Sequence, residues 1–430
     1  MKLFRADRLI DGRGGKPVEG AAVLVSGDRV LDAGRAADIG VPQGAEVIDA
    51  PPGGTLMPGL VDVHVHLAYS GQVDPNAFRA ESATIPYPAI ALRAARFARE
   101  TLAFGYTSVR DMHAPGGTII DLRDAVAEGL VEGPRIRACG LGLTVTGGHM
   151  DQPGFADHMS FRNMNGACEG PVGFRAGVRA QIKRGADFIK LNPCVSNRID
   201  ERLWRFEMTV DEIRAACDEA HECGLMVGAH TSGGPPLTAA IEAGCDTVEH
   251  AHWIDDATLE MMVERGTWLV PTLAVNEASS AHVLAQPDAP PLTRRWAERS
   301  ETDKWERLDR ARKAGVKVAA GSDAGFFLPH GAGNGREIEL FVQGGYSELE
   351  AISIATAAGA DLMRIEAGRL AVGKLADILI VDGNPLEDIR ILRDPGRLRV
   401  FKGAEECSRH PEAGSWRTAR QRQTGKGRTT

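Results

Sequence analysis

Eight short apolar runs, most of them separated by stretches of helical periodicity, dominate the middle of this 430-residue chain. They are Val61 to His66, Thr107 to Arg110, Arg135 to Cys139, Phe188 to Leu191, Met226 to Ala229, Thr247 to Glu249, Trp268 to Val270 and Val316 to Ala319. The helical patterns are clearest over Ala89 to Phe104, Val210 to Cys223 and Arg294 to Ala314. Strands that read as nearly continuous apolar runs suit a parallel sheet covered on both faces. Eight of them alternating with helices predict an α/β fold, a (β/α)8 TIM barrel. A six- or seven-strand doubly wound sheet is the competing topology, but no Gly-x-Gly-x-x-Gly turn opens it.

The chain ends have a different texture. Residues 1–57 alternate β-like runs with turns, including a hairpin of Val23-Leu24-Val25 and Arg29-Val30-Leu31 across Ser26-Gly27-Asp28. β-like character returns over 366–404, at Gly368 to Leu370, Asp377 to Asp382 and Arg399 to Gly403. The simplest expectation is a small β-sandwich domain built from both chain ends, 1–57 and 366–404, around a barrel over 58–365. Residues 405–430 are polar and cannot bury enough surface to offset ordering entropy, so a disordered tail is expected.

Composition narrows the function classes. A net charge of −8 offers no basic patch for nucleic acid. No run approaches the roughly 20 apolar residues of a membrane span, and charge interrupts the N-terminal residues before an apolar leader forms. The seven cysteines are scattered and include no Cys-x-x-Cys, which argues against a disulfide framework or a zinc ribbon. A cytoplasmic protein with reduced thiols is expected.

The chemistry gathers at strand ends, where barrels of this type carry their active sites. His64 and His66 sit two apart at the end of the first run, so a strand projects both from one face, as two imidazoles converging on one metal require. Val61, Val63 and Val65 then point into packing. Later strands end in Lys190, His230, His250 and Asp323. A lone histidine at a strand end is commonly a satisfied polar residue, but a full set on one barrel favours a single site. Lys190 lies in Ala186-Asp187-Phe188-Ile189-Lys190-Leu191, where a buried ammonium is costly unless it is paired, for example with Asp187, or neutral. A neutral amine can add carbon dioxide, and the resulting carbamate can bridge two cations.

With that lysine, the order His-x-His, Lys, His, His, Asp resembles the binuclear branch of the amidohydrolase superfamily. The resemblance includes Pro58-Gly59-Leu60-Val61-Asp62, Thr107-Ser108-Val109-Arg110-Asp111, Glu249-His250, Gly321-Ser322-Asp323-Ala324-Gly325 and Gly373-Lys374-Leu375-Ala376-Asp377-Ile378. Thr146-Gly147-Gly148-His149 and Asn334-Gly335-Arg336-Glu337 look like the prolidase-like group of Xaa-Pro and Xaa-Arg/Lys dipeptidases, which includes ochratoxinase. The resemblance implies His64, His66 and Asp323 on one metal and His230 and His250 on a second. Carbamylated Lys190 and a hydroxide would bridge the pair. Asp323 would act as general base and then acid, and His149 would contact the substrate. By ligand chemistry the two divalent ions are zinc, with manganese, cobalt and nickel as alternatives. His252 is a candidate to support the ligands, Arg110 to tie the interior to a carboxylate, and Phe326 and Phe327 to form an apolar wall.

The implied activity is metal-dependent hydrolysis of an amide C–N bond in a dipeptide or N-acyl amino acid, by a homo-oligomer. Two departures redirect it. The group's tyrosine after the strand 5 histidine is replaced by Thr231-Ser232, candidate carboxylate-binding hydroxyls. The segment Asn192-Pro193-Cys194-Val195-Ser196-Asn197 replaces a small-residue turn, and its Cys194 has no partner base. A hydrolase of a neutral or cyclic amide, urea or carbamate, ochratoxin-type amides included, is therefore the alternative. A mononuclear deaminase or imidazolone-type ring hydrolase would lack the strand 4 lysine.

Overall fold

The computed structural model describes residues 1–407 apart from 75–76, 78–79, 82–83, 150, 152–165 and 195–206. The expected polar tail from 408 onward and Val195 to Asn197 lie outside the described residues.

The N-terminal strands are β1 (Lys2–Leu9), β2 (Val18–Ser26), β3 (Arg29–Arg35), β4 (Glu46–Asp49) and β5 (Thr55–Pro58). The hairpin expected around Gly27 is formed by β2 and β3, with Ser26 opposite Arg29. Ten further strands follow: β6 (Leu60–Val65), β7 (Tyr106–Asp111), β8 (Arg135–Ala138), β9 (Leu143–Thr144), β10 (Gly166–Ala167), β11 (Ile189–Leu191), β12 (Val227–Gly233), β13 (Thr247–Trp253), β14 (Trp268–Val270) and β15 (Lys317–Val318). The C-terminal strands are β16 (Ile378–Val381), β17 (Leu398–Lys402) and β18 (Glu405–Glu406).

All eight apolar runs are strands, and all pair in parallel. β6, β7 and β8 form one ladder, and β10-β9-β11-β12-β13-β14-β15 form another. Backbone hydrogen bonds cross between the two ladders on both sides. Asp187 N donates to Ala138 O at 2.9 Å, and Asp323 N donates to His64 O at 2.7 Å. Complete burial of β6 and β7 matches strands covered on both faces. The covering helices follow the expected periodicity. Val210–Glu222 buries Ile213, Ala216, Cys217 and Ala220, and it starts at a capping box in which Thr209 and Glu212 bond reciprocally.

The chain ends meet as expected, through antiparallel pairing of β16 with β5. The strands pair into one eight-stranded sheet, ordered β18-β17-β16-β5-β1-β2-β3 with β4 beside β1, and Phe4 of β1 packs edge-on to Phe401 of β17 with ring centroids 4.9 Å apart. β1 pairs β4 along its first half and β5 along its second, which merges the N-terminal strands with the returning ones into a continuous ladder. Asp377 ties this sheet to the parallel one by accepting from Arg135 at 3.1 Å and from Gly403 N at 2.7 Å.

Candidate metal centre

Strand β6 delivers its polar residues with period two. Asp62, His64 and His66 share a face, and each has a separate duty. Asp62 accepts from Ser322 Oγ at 2.6 Å, Ser322 N at 3.1 Å and Asn334 Nδ2 at 2.8 Å, so it moors the turn that carries Asp323. Burial pushes the Asp62 carboxyl up to about 6 despite these bonds. His64 donates from Nδ1 to Glu249 at 2.7 Å, and His66 from Nδ1 to the His113 carbonyl at 3.3 Å. Each Nε2 is then left as the lone-pair nitrogen available to a metal. Both point at one carboxylate, with His66 Nε2 at 3.2 Å and His64 Nε2 at 3.6 Å from Asp323 Oδ1. Asp323 itself has φ +60°, a left-handed conformation that aspartate tolerates better than most side chains. The turn also needs Gly321, because a Cβ there would come within 2.6 Å of His64 Cβ.

His250 reaches the same point by a different route. In a regular strand Glu249 and His250 would face opposite ways. Here the register of β12 and β13 shifts between Thr231 and Gly233, and His250 and Ala251 take φ of +66° and +45°. That bulge turns both Glu249 and His250 inward. His250 Nδ1 lies 2.7 Å from Thr272 Oγ1 and 4.0 Å from Asp323 Oδ2. Ligand atoms of His64, His250 and Asp323 lie within 4.8 Å of one another. The His230 ring is 4.5 Å from that of His250, and among the described residues its buried Nε2 has no hydrogen-bond partner, nor does Asp323 Oδ1. Burial holds the imidazoles of His64, His230 and His250 well below their ordinary pKa, which keeps them neutral as ligation requires. Burial likewise lowers the Lys190 ammonium, and no described residue forms an ion pair or hydrogen bond with it. Neutral imidazoles, an ionisable carboxylate, orphaned buried acceptors and an unpaired lysine are a donor set that fits divalent cations. The two ligand groups expected from the sequence form one continuous cluster.

The amidohydrolase family model matches residues 55–406. This chain belongs to that family. Ochratoxinase from Aspergillus niger is 32% identical over 443 residues, covering 97% of this chain and 88% of the relative. A crystal structure of a Xaa-Pro dipeptidase with methionine bound in its active site superposes with a TM-score of 0.83, at 30% identity, over 94% of this chain and 99% of the other. The crystal structure of A. niger ochratoxinase gives a TM-score of 0.82 at 29% identity, over 94% and 95% of the two chains. The protein is therefore a hydrolase acting on amide C–N bonds, in a family whose members are generally metal-dependent.

The amidohydrolase cavity encloses about 220 Å³ and is lined by His64, His66, Lys190, His230, His250 and Asp323 together with His149, Phe326 and Phe327. His149 stacks on His230 with ring centroids 4.0 Å apart, and burial with nearby Lys190 pushes it down to about 4. Phe326 packs edge-on to His66 at 4.5 Å. Thr231 and Ser232 are not among the residues lining the cavity. Strand alternation turns Thr231 away from His230, and its hydroxyl bonds to Glu249 O at 3.4 Å. Ser232 N donates to Cys194 Sγ at 3.4 Å. Burial raises the Cys194 thiol to about 12, which agrees with its having no nucleophilic part. Arg110 does tie the interior to a carboxylate, Glu249, at 2.8 Å.

Several supports lie outside the set of residues expected from the sequence. Asp111 accepts from Leu67 N at 2.7 Å and so fixes the His66 strand end, its carboxyl pushed by burial to about 7. Glu337 accepts from Leu273 N and Ala274 N at 3.0 and 2.7 Å, and thereby fixes the turn that carries Thr272. Asp62 and Asp111 had a signal, since an acid in a fully buried strand needs donors. Thr272 had none. Among the described residues no helix is long and apolar enough to cross a membrane.

Proposed function

We propose that this amidohydrolase cleaves the amide bond of an N-acyl or N-aroyl compound at a two-metal centre held by His64, His66, Lys190, His230, His250 and Asp323. The observation that carries this is the convergence of ligand atoms of His64, His250 and Asp323 within 4.8 Å, in one cavity with His66, Lys190 and His230. Bound zinc ions would polarise the scissile carbonyl and make a water nucleophilic near neutral pH. Lys190, whose buried amine can be neutral and take up carbon dioxide, would offer the metals an anionic oxygen donor. Asp323 carries the proton from the water to the leaving nitrogen. His149, beside His230, orients the substrate carbonyl.

Within this reading the two parallel ladders are arcs of one closed (β/α)8 barrel over 58–365, flanked by a smaller unit from 1–57 and 366–404. The protein works in the cytoplasm as a homo-oligomer. The aromatic lining of Phe326 and Phe327 supports an aryl or bulky acyl part, in keeping with the relative named ochratoxinase. A dipeptide substrate is the second reading, favoured by the structural neighbour named as a Xaa-Pro dipeptidase. Zinc-loaded protein offered N-benzoyl amines, ochratoxin-type amides and X-Pro or X-Arg dipeptides separates the two. Cleavage confined to dipeptides would replace the first reading with the second, and no cleavage of any would end both.

A further inference from the structure

Two arginines are buried among the described residues, Arg110 and Arg307, at 3% and 4% exposed. Arg110 has a carboxylate in contact, Glu249. Arg307, on the helix Pro291–Ala314, forms no ion pair with any described residue. Its Nη1 donates to His250 O at 3.1 Å and to Ala251 O at 3.2 Å, while Nε and Nη2 have no partner among the described residues. Burial brings its pKa down to about 10, against the attraction of Glu337 and Asp303, so it stays charged at neutral pH. Burying a guanidinium is costly unless it is paired, and one spent on two main-chain carbonyls calls for a reason in the backbone.

Strand β13 supplies that reason. It pairs with β14 only as far as Glu249, opposite Val270. Its pairing with β12 breaks after His250 and resumes at Trp253, opposite Gly233, where a Cβ would collide with Trp253 O. His250 and Ala251 fall in that gap, both with positive φ. A residue with a Cβ disfavours this conformation, and two in succession persist only where the surroundings over-determine them. The carbonyls of these two residues are the ones that Arg307 binds. One Nη carries two N–H groups, so a single nitrogen serves both oxygens.

We propose that Arg307 is a positioning residue for the metal centre: by bonding the carbonyls of His250 and Ala251 it holds the left-handed bulge that turns the His250 imidazole into the cavity. Arg307 is not among the residues lining that cavity, so it acts through His250 and not on substrate. The proposal rests on the reading of His250 as a metal ligand. Without Arg307 the strand can relax toward regular alternation, in which Glu249 and His250 face opposite sides.

The test compares Arg307→Met, which removes the donors, with Arg307→Lys, which keeps a charged donor. Leu308→Ala, at a fully buried position of the same helix, controls for general loosening. Each metal-free protein is titrated with zinc against a chelator, and with cobalt(II), whose visible absorption reports its ligands. Arg307→Met should weaken one ion about 10- to 100-fold, the loss usual when the support of a ligand is removed, and alter the cobalt spectrum as His250→Ala does. Arg307→Lys should recover most of that affinity. Leu308→Ala should unfold at lower denaturant yet keep wild-type affinity and spectrum. Wild-type affinity in Arg307→Met, or an equal loss in Leu308→Ala, would overturn the proposal. If Arg307→Met does not fold, Arg307→Gln takes its place: affinity below that of Arg307→Lys supports the role, and affinity equal to it overturns it. If His250→Ala binds zinc as the wild type does, the ligand reading fails separately. The hold on the bulge is then judged by deuterium uptake of the metal-free proteins over residues 247–253. Faster uptake in Arg307→Met than in Leu308→Ala supports that hold, and equal uptake overturns it.

Discussion

Replacing Glu249 with glutamine would measure how far one carboxylate organises the metal centre. Glu249 is fully buried and serves three donors at once: His64 Nδ1 at 2.7 Å, Arg110 Nη2 at 2.8 Å and Thr247 Oγ1. Glutamine has the same size but one acceptor oxygen, so its NH2 must face either His64 Nδ1–H or the guanidinium. It also removes the charge that balances Arg110, which is itself only 3% exposed. Breaking a buried ion pair by removing one partner costs about 3–5 kcal/mol, and a charged hydrogen bond is worth about 1.5–3. Because glutamine keeps one acceptor, the expected loss lies between these, about 2–4 kcal/mol in denaturant unfolding of the metal-free protein. His64 loses the partner that fixes its tautomer, so zinc affinity should fall about 10- to 100-fold, read by chelator competition. Saturating zinc should restore part of kcat/KM. Adding Arg110→Met to Glu249→Gln should recover stability relative to the single variant, because no uncompensated charge is left. Wild-type zinc affinity in Glu249→Gln, or a double variant that simply sums two losses, would refute the reasoning.

Asp323→Asn should retain metal, since the amide oxygen still coordinates, yet lose turnover by about 100-fold or more because it cannot accept a proton; metal analysis alongside kcat checks it. Lys190→Ala should hold fewer than two metals per chain, and two tightly retained ions would remove the bridging role. Thr231→Val should leave KM within about twofold for any substrate, because its hydroxyl is spent on the Glu249 carbonyl. Glu337 is pushed up to about 8 by burial, from an ordinary value of 4.5. The folded state therefore binds its proton more tightly than the unfolded chain. Its contribution is fully present below about pH 4.5 and is lost as pH rises through about 8. Glu337→Gln should flatten the fall in stability of the metal-free protein over that window, measured by unfolding at successive pH values. An unchanged slope would mean that Glu337 is ionised at no cost.

Sequence alone fixed what depends on spacing within one element. The period-two face of β6 follows from the geometry of any strand, so the pairing of His64 with His66 depends on no other element. The eight parallel strands and the meeting of the chain ends were likewise legible, because apolar runs and turn residues are local signals. Lys190 stood out because a cation is misplaced in an apolar strand whatever surrounds it. The tertiary structure decided the rest, where side-chain direction depends on backbone angles set by distant partners. Glu249 and His250 both face inward only because a bulge puts His250 at φ +66°, held by Thr272 and by pairing with β12. Asp323 reaches the histidines because Asp62, far away in sequence, moors its turn. Thr231 seemed placed to bind substrate by its nearness to His230, yet adjacent residues on a strand face opposite sides. His252, Asn276 and Trp296 line one cavity only when a strand and two helices pack together, and no spacing along the chain encodes that contact.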